Sequence, residues 1–313
     1  MKKYDLIIIG GACAGLTAGL YGARRGLKTL ILTKDIGGQA GITFEIENYP
    51  GTGKVNGYEL MMNFKKQAEG AGAEIQIAEV NEIESREGAF VVKSSVGEYE
   101  ASSLILAFGL EHRKLGVIGE KEFLGKGVTY CATCDGPLYK RKTVAVVGGG
   151  NSAFDAAEYL SGLCKKVYLI HRSDKFRADQ VLIDVVKNKS NIEVMVNTEI
   201  AEIVGKERVE KVIFKNGQEL QLDGVFIEIG YSPKTDFIKD LVKLDEIGQV
   251  IIDKEGKTNV PGIFGAGDVT DTVFKQVVIS AGEGAKASLS AARYLQSSKG
   301  LEIKPDWDRR KKA

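Results

Sequence analysis

Cysteine and histidine are scarce in this sequence, with four cysteines and two histidines among 313 residues. Four cysteines are too few for a scaffold stapled by disulfides, so a hydrophobic core has to supply the stability. Zinc in structural sites takes four protein ligands. No second paired-ligand motif accompanies the closest cysteine pair. The sequence therefore predicts no zinc site.

The sequence also lacks an excess of positive or negative charge, and it lacks long apolar runs. The net charge is +1, which gives no long-range attraction to nucleic acid or to an anionic membrane. No apolar run approaches the length of about 20 residues that a bilayer requires. The basic run at 309–312 (RRKK) is typical of a terminus. The first apolar run is short and ends in a glycine turn, which favours a buried strand over a signal peptide, so we expect a cytoplasmic protein.

The sequence repeats itself once, without gaps, at an offset of 138 residues. In each copy a short apolar run (6–9, LIII; 144–147, VAVV) precedes a glycine turn (10–15, GGACAG; 148–153, GGGNSA). A helical stretch and a second apolar run follow in both copies. Such runs are typical of parallel strands that are buried on both faces. With a length that suits two domains, the repeat predicts two βαβ units.

Glycine turns between a strand and a helix are typical of dinucleotide-binding folds. The first glycine permits a tight reversal, and a small second residue lets backbone N–H groups approach a pyrophosphate. A small third residue lets the helix pack on the strand. Ala12 takes the second place in the first copy, and Ala153 takes the third place in the second copy. Two turns in register favour two nucleotide sites; the alternative is a pair of tight packing turns without a ligand.

One short segment between the two turns carries the reactive groups. Residues 131–136 (CATCDG) place two thiols two residues apart, with a carboxylate directly after them. A C-x-x-C pair in a cytosolic protein indicates redox or metal chemistry, and zinc lacks further ligands here. The pattern therefore predicts a redox-active dithiol. Cys13 and Cys164 are interpreted as small buried side chains.

A third glycine cluster, residues 262–268 (GIFGAGD), ends in Asp268 and precedes a helical stretch over about residues 276–295. The carboxylate could hold hydroxyl groups of a bound cofactor, with the helix N-terminus facing negative charge. The ordinary interpretation is an aspartate that caps the helix, and the pattern alone favours it.

The order of these motifs closely resembles that of the low-molecular-weight thioredoxin reductases, over nearly the whole chain. Residues 131–136 are the most specific element, and the other matching motifs are 37–39 (GGQ), 47–51 (ENYPG), 171–172 (HR), 230–235 (GYSPKT) and 265–268 (GAGD). The resemblance implies a homodimeric FAD enzyme. Such an enzyme passes electrons from NADPH through FAD and the Cys131–Cys134 disulfide to thioredoxin.

The resemblance also implies the fold: an α/β protein with two Rossmann-like, three-layer dinucleotide-binding domains, each with a small β-meander. The FAD-binding domain would comprise residues 1–115 and 242–313. The NAD(P)H-binding domain, residues 116–241, would be inserted into it and carry the C-x-x-C pair. We expect the meanders within residues 78–107 and 192–229. In this family the inserted domain rotates, so that the dithiol can meet the flavin in one arrangement and thioredoxin in the other.

The roles of single residues follow from the same resemblance. Cys134 would lie against the flavin, Cys131 would attack the disulfide of thioredoxin, and Asp135 would act as general acid and base. The implied FAD-binding residues are Gly10, Ala12, Gly15, Gly38, Gln39, Asn48, Gly109, Gly267, Asp268, Lys275, Gln276 and Val277. The implied NADPH-binding residues are Gly148, Gly150, Asn151, Ser152, Arg172, Ser173, Arg177 and Gly230.

Three departures from the family pattern bear on cofactor binding. Residues 107–109 read AFG where the family usually has ATG, and residues 275–277 read KQV where it often has RQA. Lysine keeps the charge of arginine but not its planar fork, and we expect FAD to bind. No acid ends the strand after the second turn, and Arg172 and Arg177 suit a 2′-phosphate. Ser173 replaces a third arginine, so we expect NADPH, with NADH possible.

Two other functions stay open at this stage. The same flavin and dithiol could reduce a glutaredoxin-like or peroxidase-associated protein, or pass electrons to oxygen. The chain begins at the strand of the first unit, so we expect no fused thioredoxin-like module. The second alternative is a redox-sensing or nucleotide-sensing flavoprotein without enzymatic activity, because fold alone does not define function.

Overall fold

The computed structural model describes residues 1–43 and 46–298, and the basic run at 309–312 lies outside them. The chain divides into two compact units. The first consists of Met1–Leu110 and of the part that begins at Pro233, and the second is Glu111–Ser232. None of the helices described is long and apolar enough for a membrane crossing.

The described residues form strands and helices in alternation. The strands are β1 Lys2–Ile9, β2 Thr29–Thr33, β3 Glu74–Ile77, β4 Val80–Arg86, β5 Ala89–Ser94, β6 Gly97–Leu106, β7 Glu111–His112, β8 Val128–Thr129, β9 Thr143–Val147, β10 Lys166–Ile170, β11 Ile192–Met195, β12 Ile200–Gly205, β13 Val209–Phe214, β14 Glu219–Gln221, β15 Gly224–Ile227, β16 Tyr231–Ser232 and β17 Ile263–Gly265. The helices are α1 Cys13–Arg24, α2 Gly38–Ile42, α3 Gly57–Gly70, α4 Ala132–Asp135, α5 Asn151–Ser161, α6 Gln180–Lys187 and α7 Val277–Ser298.

The first unit is built on a sheet with the strand order β3-β2-β1-β6-β5-β4, in which β17 also pairs with β6. β1 is parallel to both of its neighbours, whereas β4, β5 and β6 pair antiparallel as the predicted meander. Leu6 and Ile8 pack on one face with alanines of α1 and α7. Ile7 and Ile9 pack on the other face. The apolar run 6–9 is therefore buried on both faces, as predicted.

The second unit has a parallel sheet with the order β11-β10-β9-β15-β8 and a separate antiparallel sheet of β12, β13 and β14. Val144 and Val146 pack with residues of α5 and α6. Ala145 and Val147 pack with residues of the small antiparallel sheet. This gives three layers, of which the small sheet is the second predicted meander, and the predicted fold class is confirmed.

The register of the strands confirms the duplication. Leu6 lies opposite Thr29 in the first copy, and Val144 lies opposite Val167 in the second. Both pairs keep the offset of the sequence repeat. The two βαβ units therefore match strand for strand.

The boundaries between the units differ from the predicted ones. The sequence predicted them at 115/116 and 241/242, whereas the structure has them at 110/111 and 232/233. β7 and β16 pair with each other, with His112 opposite Tyr231, and so both belong to the second unit. Ile238 packs in the core of the first unit. A two-residue strand pair has no sequence signal of its own, which is why the prediction missed it.

Candidate active site

The turn after β1 leaves no room for a side chain at Gly10 or Gly15. A Cβ at Gly10 would lie 2.2 Å from the carbonyl oxygen of Ala107, and one at Gly15 would lie 1.9 Å from that of Gly10. Ala12 is extended before α1, and none of the described side chains caps this helix. The first N–H groups of α1 therefore border a tight turn with only a small residue, Ala12, before the helix, which is the arrangement that suits a pyrophosphate.

The second glycine motif packs against this turn. The N–H of Gly37 donates to the carbonyl of Gly11 at 2.9 Å, and this places the start of α2 beside the turn. Nε2 of Gln39 donates to the carbonyl of Leu110 at 2.8 Å, next to Gly109 after β6. The structure thus brings three separate predicted segments to the carboxyl ends of β1 and β6.

Asp268 follows β17 and faces the first turns of α7. Oγ of Ser280 donates to its carboxylate at 3.0 Å. Burial raises the pKa of Asp268, while the Ser280 bond and the charge of Lys275 oppose that shift. The N–H of Gly267 donates at 2.8 Å to Glu283, a buried α7 residue that the sequence analysis missed. Two acids, one half-buried and one buried, therefore shape this end of the unit.

Lys275 is turned toward the backbone rather than outward. Its Nζ donates to the carbonyls of Asp268 at 3.1 Å and of Thr270 at 2.6 Å, and burial lowers its pKa. Asn48 and Gln276, which lie far apart in sequence, are hydrogen-bonded at 3.1 Å. The structure brings the predicted FAD residues of the C-terminal part together, and it engages Lys275 in holding the turn.

Cys13 lies in the first turn of α1 in the same region. Val277 packs with it and with Ala40 in one small apolar cluster. Burial raises the pKa of the Cys13 thiol to about 11, with the charge of Asp268 as the second cause. A thiol with such a pKa is protonated near neutrality, so Cys13 is a packing residue, as is buried Cys164.

The second glycine turn repeats the design of the first. A Cβ at Gly148 would lie 2.2 Å from the carbonyl oxygen of Glu228, and one at Gly149 would lie 2.4 Å from the ring of His171. A Cβ at Gly150 would meet no described atom within 4 Å. α5 begins at Asn151 without a side-chain cap from any residue in the described ranges. The backbone at Gly150 therefore borders open space at a helix N-terminus.

The loop that carries the predicted arginines is docked on this turn. The N–H of Arg177 donates to the carbonyl of Gly149 at 2.7 Å. The side chains of Arg172 and Arg177 are exposed. Oγ of Ser173 lies 3.2 Å from Nε2 of His171. Two guanidinium groups thus remain available at the turn, while Ser173 bonds within its own loop.

Asn151 has a structural bond in addition to its predicted role. Its Nδ2 donates to the Asp179 carboxylate at 3.0 Å, and the Asp179 N–H donates back to Oδ1 at 2.8 Å. The pair ties the start of α5 to the start of α6. Ser152 is exposed in the first turn of α5. Gly230 has a positive φ of 90° and follows β15. These residues lie at or near the second glycine turn, and the Asn151 amide is already engaged by Asp179.

The redox pair is formed as predicted. Cys131 and Cys134 are joined in a disulfide with a Cα–Cα distance of 5.4 Å. Cys134 is exposed and Cys131 is half-buried. Sγ of Cys131 accepts a hydrogen bond from the N–H of Cys134 at 3.2 Å and lies 3.5 Å from the hydroxyl of Thr133. The N–H of Cys134 is thus a hydrogen-bond donor at Cys131 Sγ, and such a donor favours a thiolate.

Asp135 is held beside the pair by Thr129, which the sequence analysis did not single out. The Thr129 hydroxyl donates to the Asp135 carboxylate and accepts from the N–H of Cys131 at 3.1 Å. Thr129 is buried at the end of β8, so it fixes both groups. The carboxylate predicted to move protons therefore has a defined position next to the cysteine turn.

Glu228 is a second acid at this site, and the sequence analysis missed it. It follows β15, whose four residues are all buried. Burial raises the pKa of Glu228 to about 7, and a hydrogen bond from the N–H of Ala132 opposes the shift. The missed signal was a carboxylate placed directly after a fully apolar strand.

Substitution Glu228→Gln is expected to raise stability at pH 8 and to leave it nearly unchanged at pH 4. The pKa of the Glu228 carboxyl is about 7 in the folded protein and 4.5 in the unfolded chain. Below pH 4.5 the carboxyl is protonated in both states and its stability contribution is fully present; this contribution is lost as the pH rises through 7, because the unfolded chain releases its proton more easily than the folded protein. A shift from 4.5 to about 7 corresponds to about 3 kcal/mol. Urea unfolding of both proteins at the two pH values measures the difference.

Other titrating groups are the same in both proteins and cancel in this comparison. Glu210→Gln, on the exposed side of β13, is the matched control and should follow wild type at both pH values. Parallel pH profiles for wild type and Glu228→Gln would show that the carboxyl titrates in its ordinary range.

Two βαβ nucleotide units, one of which carries a disulfide in an exposed turn, define a dinucleotide-dependent disulfide oxidoreductase. Residues 4–284 match the family model described as pyridine nucleotide-disulphide oxidoreductase, and the chain belongs to this family.

Similar proteins include two kinds of reductase. The chain is 42% identical over 301 residues to the thioredoxin reductase of Treponema pallidum, a match that covers 94% of this chain and 98% of that protein. It is 40% identical to the F component of the alkyl hydroperoxide reductase of Staphylococcus aureus, over 94% of this chain but 59% of that protein.

Solved structures agree. A Lactococcus lactis thioredoxin reductase superposes with a TM-score of 0.82 at 37% identity, covering 94% of this chain and 99% of that one. A thioredoxin reductase of T. acidophilum superposes with a TM-score of 0.79 at 37% identity, covering 95% of this chain and 100% of that one.

Proposed function

We propose that this protein is a thioredoxin reductase, which transfers electrons from NADPH through FAD and the Cys131–Cys134 disulfide to oxidised thioredoxin. The observation that carries the proposal is the disulfide itself. It lies in a turn at the carboxyl edge of the sheet that also bears the second glycine turn, and Asp135 is held beside it. Ligands of open α/β sheets bind at this edge.

The first unit fits FAD. The tight turn at Gly10 and Gly15 and the uncapped start of α1 suit its pyrophosphate. Asp268, held by Ser280, suits hydroxyl groups of the ribityl chain. The linked pair Asn48 and Gln276 offers amide donors and acceptors beside α7. FAD, when bound, supplies a two-electron carrier that reacts with both nicotinamides and disulfides.

The second unit fits NADPH. The start of α5 and the open backbone at Gly150 suit the pyrophosphate. Arg172 and Arg177 suit a 2′-phosphate because guanidinium groups bind phosphate oxygens in pairs. Ser173 adds no charge there, so we propose weak discrimination against NADH.

The cysteine turn assigns roles to its two sulfurs. Cys131 accepts a hydrogen bond from the N–H of Cys134 that stabilises a thiolate, so it is the sulfur that attacks the thioredoxin disulfide. That attack forms a mixed disulfide and releases one thioredoxin sulfur, which takes up a proton. Asp135 gives and accepts this proton, and Thr129 keeps its carboxylate in place. Cys134 then attacks Cys131, releases the second thioredoxin sulfur and restores the disulfide.

Two further parts of the proposal concern the setting of the enzyme. The composition carries no feature of a nucleic-acid or membrane partner, and we propose a cytoplasmic homodimer that meets a thioredoxin or thioredoxin-like protein. Sedimentation of the purified protein with and without thioredoxin tests both the dimer and the encounter.

The match to the alkyl hydroperoxide reductase component favours a second candidate partner. The chain spans 59% of that relative's length, so the part that it matches is shared between two kinds of reductase. The same dithiol could reduce a peroxidase-associated protein with a thioredoxin-like disulfide.

The deciding experiment measures NADPH oxidation with thioredoxin as the acceptor. Turnover that depends on thioredoxin and saturates with it supports the proposal. Turnover only with a peroxidase-associated disulfide protein would favour the second candidate. Turnover with oxygen alone would favour an oxidase, and flavin that no nicotinamide bleaches would favour a sensor.

Substitution Ser173→Arg is expected to raise kcat/KM for NADPH about tenfold and to leave that for NADH nearly unchanged. An arginine at residue 173 would add a third guanidinium group to the loop docked on Gly149. Steady-state kinetics with both nucleotides measure the ratio.

Ser190→Arg is the matched control, because it adds the same charge to an exposed residue before β11. Since β10 and β11 are parallel, Ser190 lies at the amino ends of these strands, whereas Ser173 follows the carboxyl end of β10. Equal gains for both nucleotides, or the same gain in the control, would contradict a role of residue 173 in selecting the 2′-phosphate.

A further inference from the structure

Glu228 lies between the nucleotide turn and the redox turn of the second unit. β15 runs between β9 and β8, with Ile227 opposite Val147 and Phe226 opposite Thr129. The next residue, Glu228, donates its N–H to the carbonyl of Val147 at 2.8 Å. The strand register therefore places Glu228 beside Gly148, which follows β9, and beside the segment that follows β8 and leads into Cys131.

The carboxylate of Glu228 touches the redox turn directly. It accepts a hydrogen bond from the N–H of Ala132, which is buried at the start of α4. That N–H belongs to the peptide bond that joins Cys131 to Ala132. A carboxylate charge therefore lies at the peptide group that directly follows Cys131, the residue whose sulfur we assign as the nucleophile.

Packing alone does not explain an acid at this place. Burial raises its pKa to about 7, so at neutral pH its ionised form weakens the fold. The proposed function already has Asp135 to move protons and does not use Glu228. Buried groups with shifted pKa values cluster at functional sites. The role left for the Glu228 carboxylate is to change the energy of the negative charge that forms on Cys131 when the disulfide is reduced.

We infer that Glu228 is a positioning residue for the Cys131–Cys134 couple: its carboxylate holds the Ala132 amide, and its charge makes the reduced pair a stronger reductant. The inference rests on the proposed function, which supplies the two electrons from NADPH. Reduction breaks the S–S bond and places both electrons on the sulfurs, which become thiolates and take up protons from Asp135 and solvent. A carboxylate beside Cys131 disfavours this added negative charge, so the reduced pair returns its electrons more readily.

The test is the reduction equilibrium of Cys131 and Cys134 in the complete, flavin-loaded protein at pH 8. Protein is equilibrated in buffers of graded reduced and oxidised dithiothreitol, the thiols are alkylated, and the dithiol fraction is read by mass spectrometry. The measurement needs neither thioredoxin nor nicotinamide. Glu228→Gln removes the charge and keeps an acceptor for the Ala132 N–H, Glu228→Ala removes both, and Glu210→Gln on β13 is the control.

We expect Glu228→Gln and Glu228→Ala to favour the dithiol about three- to tenfold in equilibrium constant, which is about 15–30 mV in potential, and Glu210→Gln to match wild type. Glu228→Gln within twofold of wild type would overturn the inference, and so would a shift seen in Glu228→Ala alone, because it would trace the effect to packing. A disulfide that no dithiothreitol ratio reduces would instead contradict the proposed function.

Discussion

Cys134→Ser is expected to lower thioredoxin reduction at least about a thousandfold while nicotinamide still bleaches the flavin. A serine hydroxyl cannot form the disulfide that joins residues 131 and 134, so electrons cannot pass to a protein disulfide. The turn itself should persist, because Sγ of Cys131 also accepts a hydrogen bond from the backbone N–H of residue 134, which serine retains. Anaerobic titration followed by visible absorbance gives the bleaching, and NADPH oxidation gives the turnover.

The same variant separates the roles of the two sulfurs. With Cys134 removed, Cys131 should form a lasting mixed disulfide with a thioredoxin that carries one activated cysteine, because no second sulfur can release it. Cys131→Ser should form no such adduct. An adduct through Cys134 in place of Cys131 would reverse the assignment. Cys164→Ala is the control, since Cys164 is buried, reduced and outside the cysteine turn, and it should keep turnover within about twofold.

Gly15→Ala is expected to abolish retention of FAD and to lower the free energy of unfolding by about 2–4 kcal/mol. Its Cβ would lie 1.9 Å from the carbonyl oxygen of Gly10, a distance that no rotamer change relieves because both atoms are tied to the backbone. The start of α1 would have to move away from the turn, and its N–H groups would no longer point toward the pyrophosphate. Absorbance of the purified protein measures FAD content, and urea unfolding measures stability.

Gly70→Ala is the matched control, because it also places an alanine in a helix of the same unit. Its Cβ would meet no described atom within 4 Å. The control should keep its FAD and become slightly more stable, by less than about 1 kcal/mol. Full FAD content in Gly15→Ala would show that the turn has more room than its geometry indicates.

Much of the fold was predictable because the signals are local. The runs 6–9 and 144–147 are apolar without alternation, and buried parallel strands require that pattern. The glycines at 10 and 148 stand where the chain reverses with φ values of 117° and 156°. Cys131 and Cys134, three residues apart, lie within reach of a disulfide in a single turn. Each of these signals depends on neighbours in sequence alone.

The contacts of the predicted site residues were not predictable from the sequence. Lys275 was predicted as an FAD-binding residue that keeps the charge of arginine, and the structure shows its Nζ bound to the carbonyls of Asp268 and Thr270. Asn151 was expected at the nucleotide, yet its amide pairs with Asp179. Glu228 was not expected at all. In each case the partner lies on another element, and the sequence carries no record of which elements meet.

By itself the sequence determined two nucleotide turns, a redox disulfide between them, and the family to which these belong. Glycine spacing, apolar runs and a C-x-x-C pair act over a few residues, so they can be read without a fold. Only the tertiary structure decided that Thr129 holds Asp135, that β7 and β16 belong to the second unit, and that an acid follows β15 beside the Ala132 amide. These contacts arise from strand order and register in the sheet, which bring together residues that are distant in sequence.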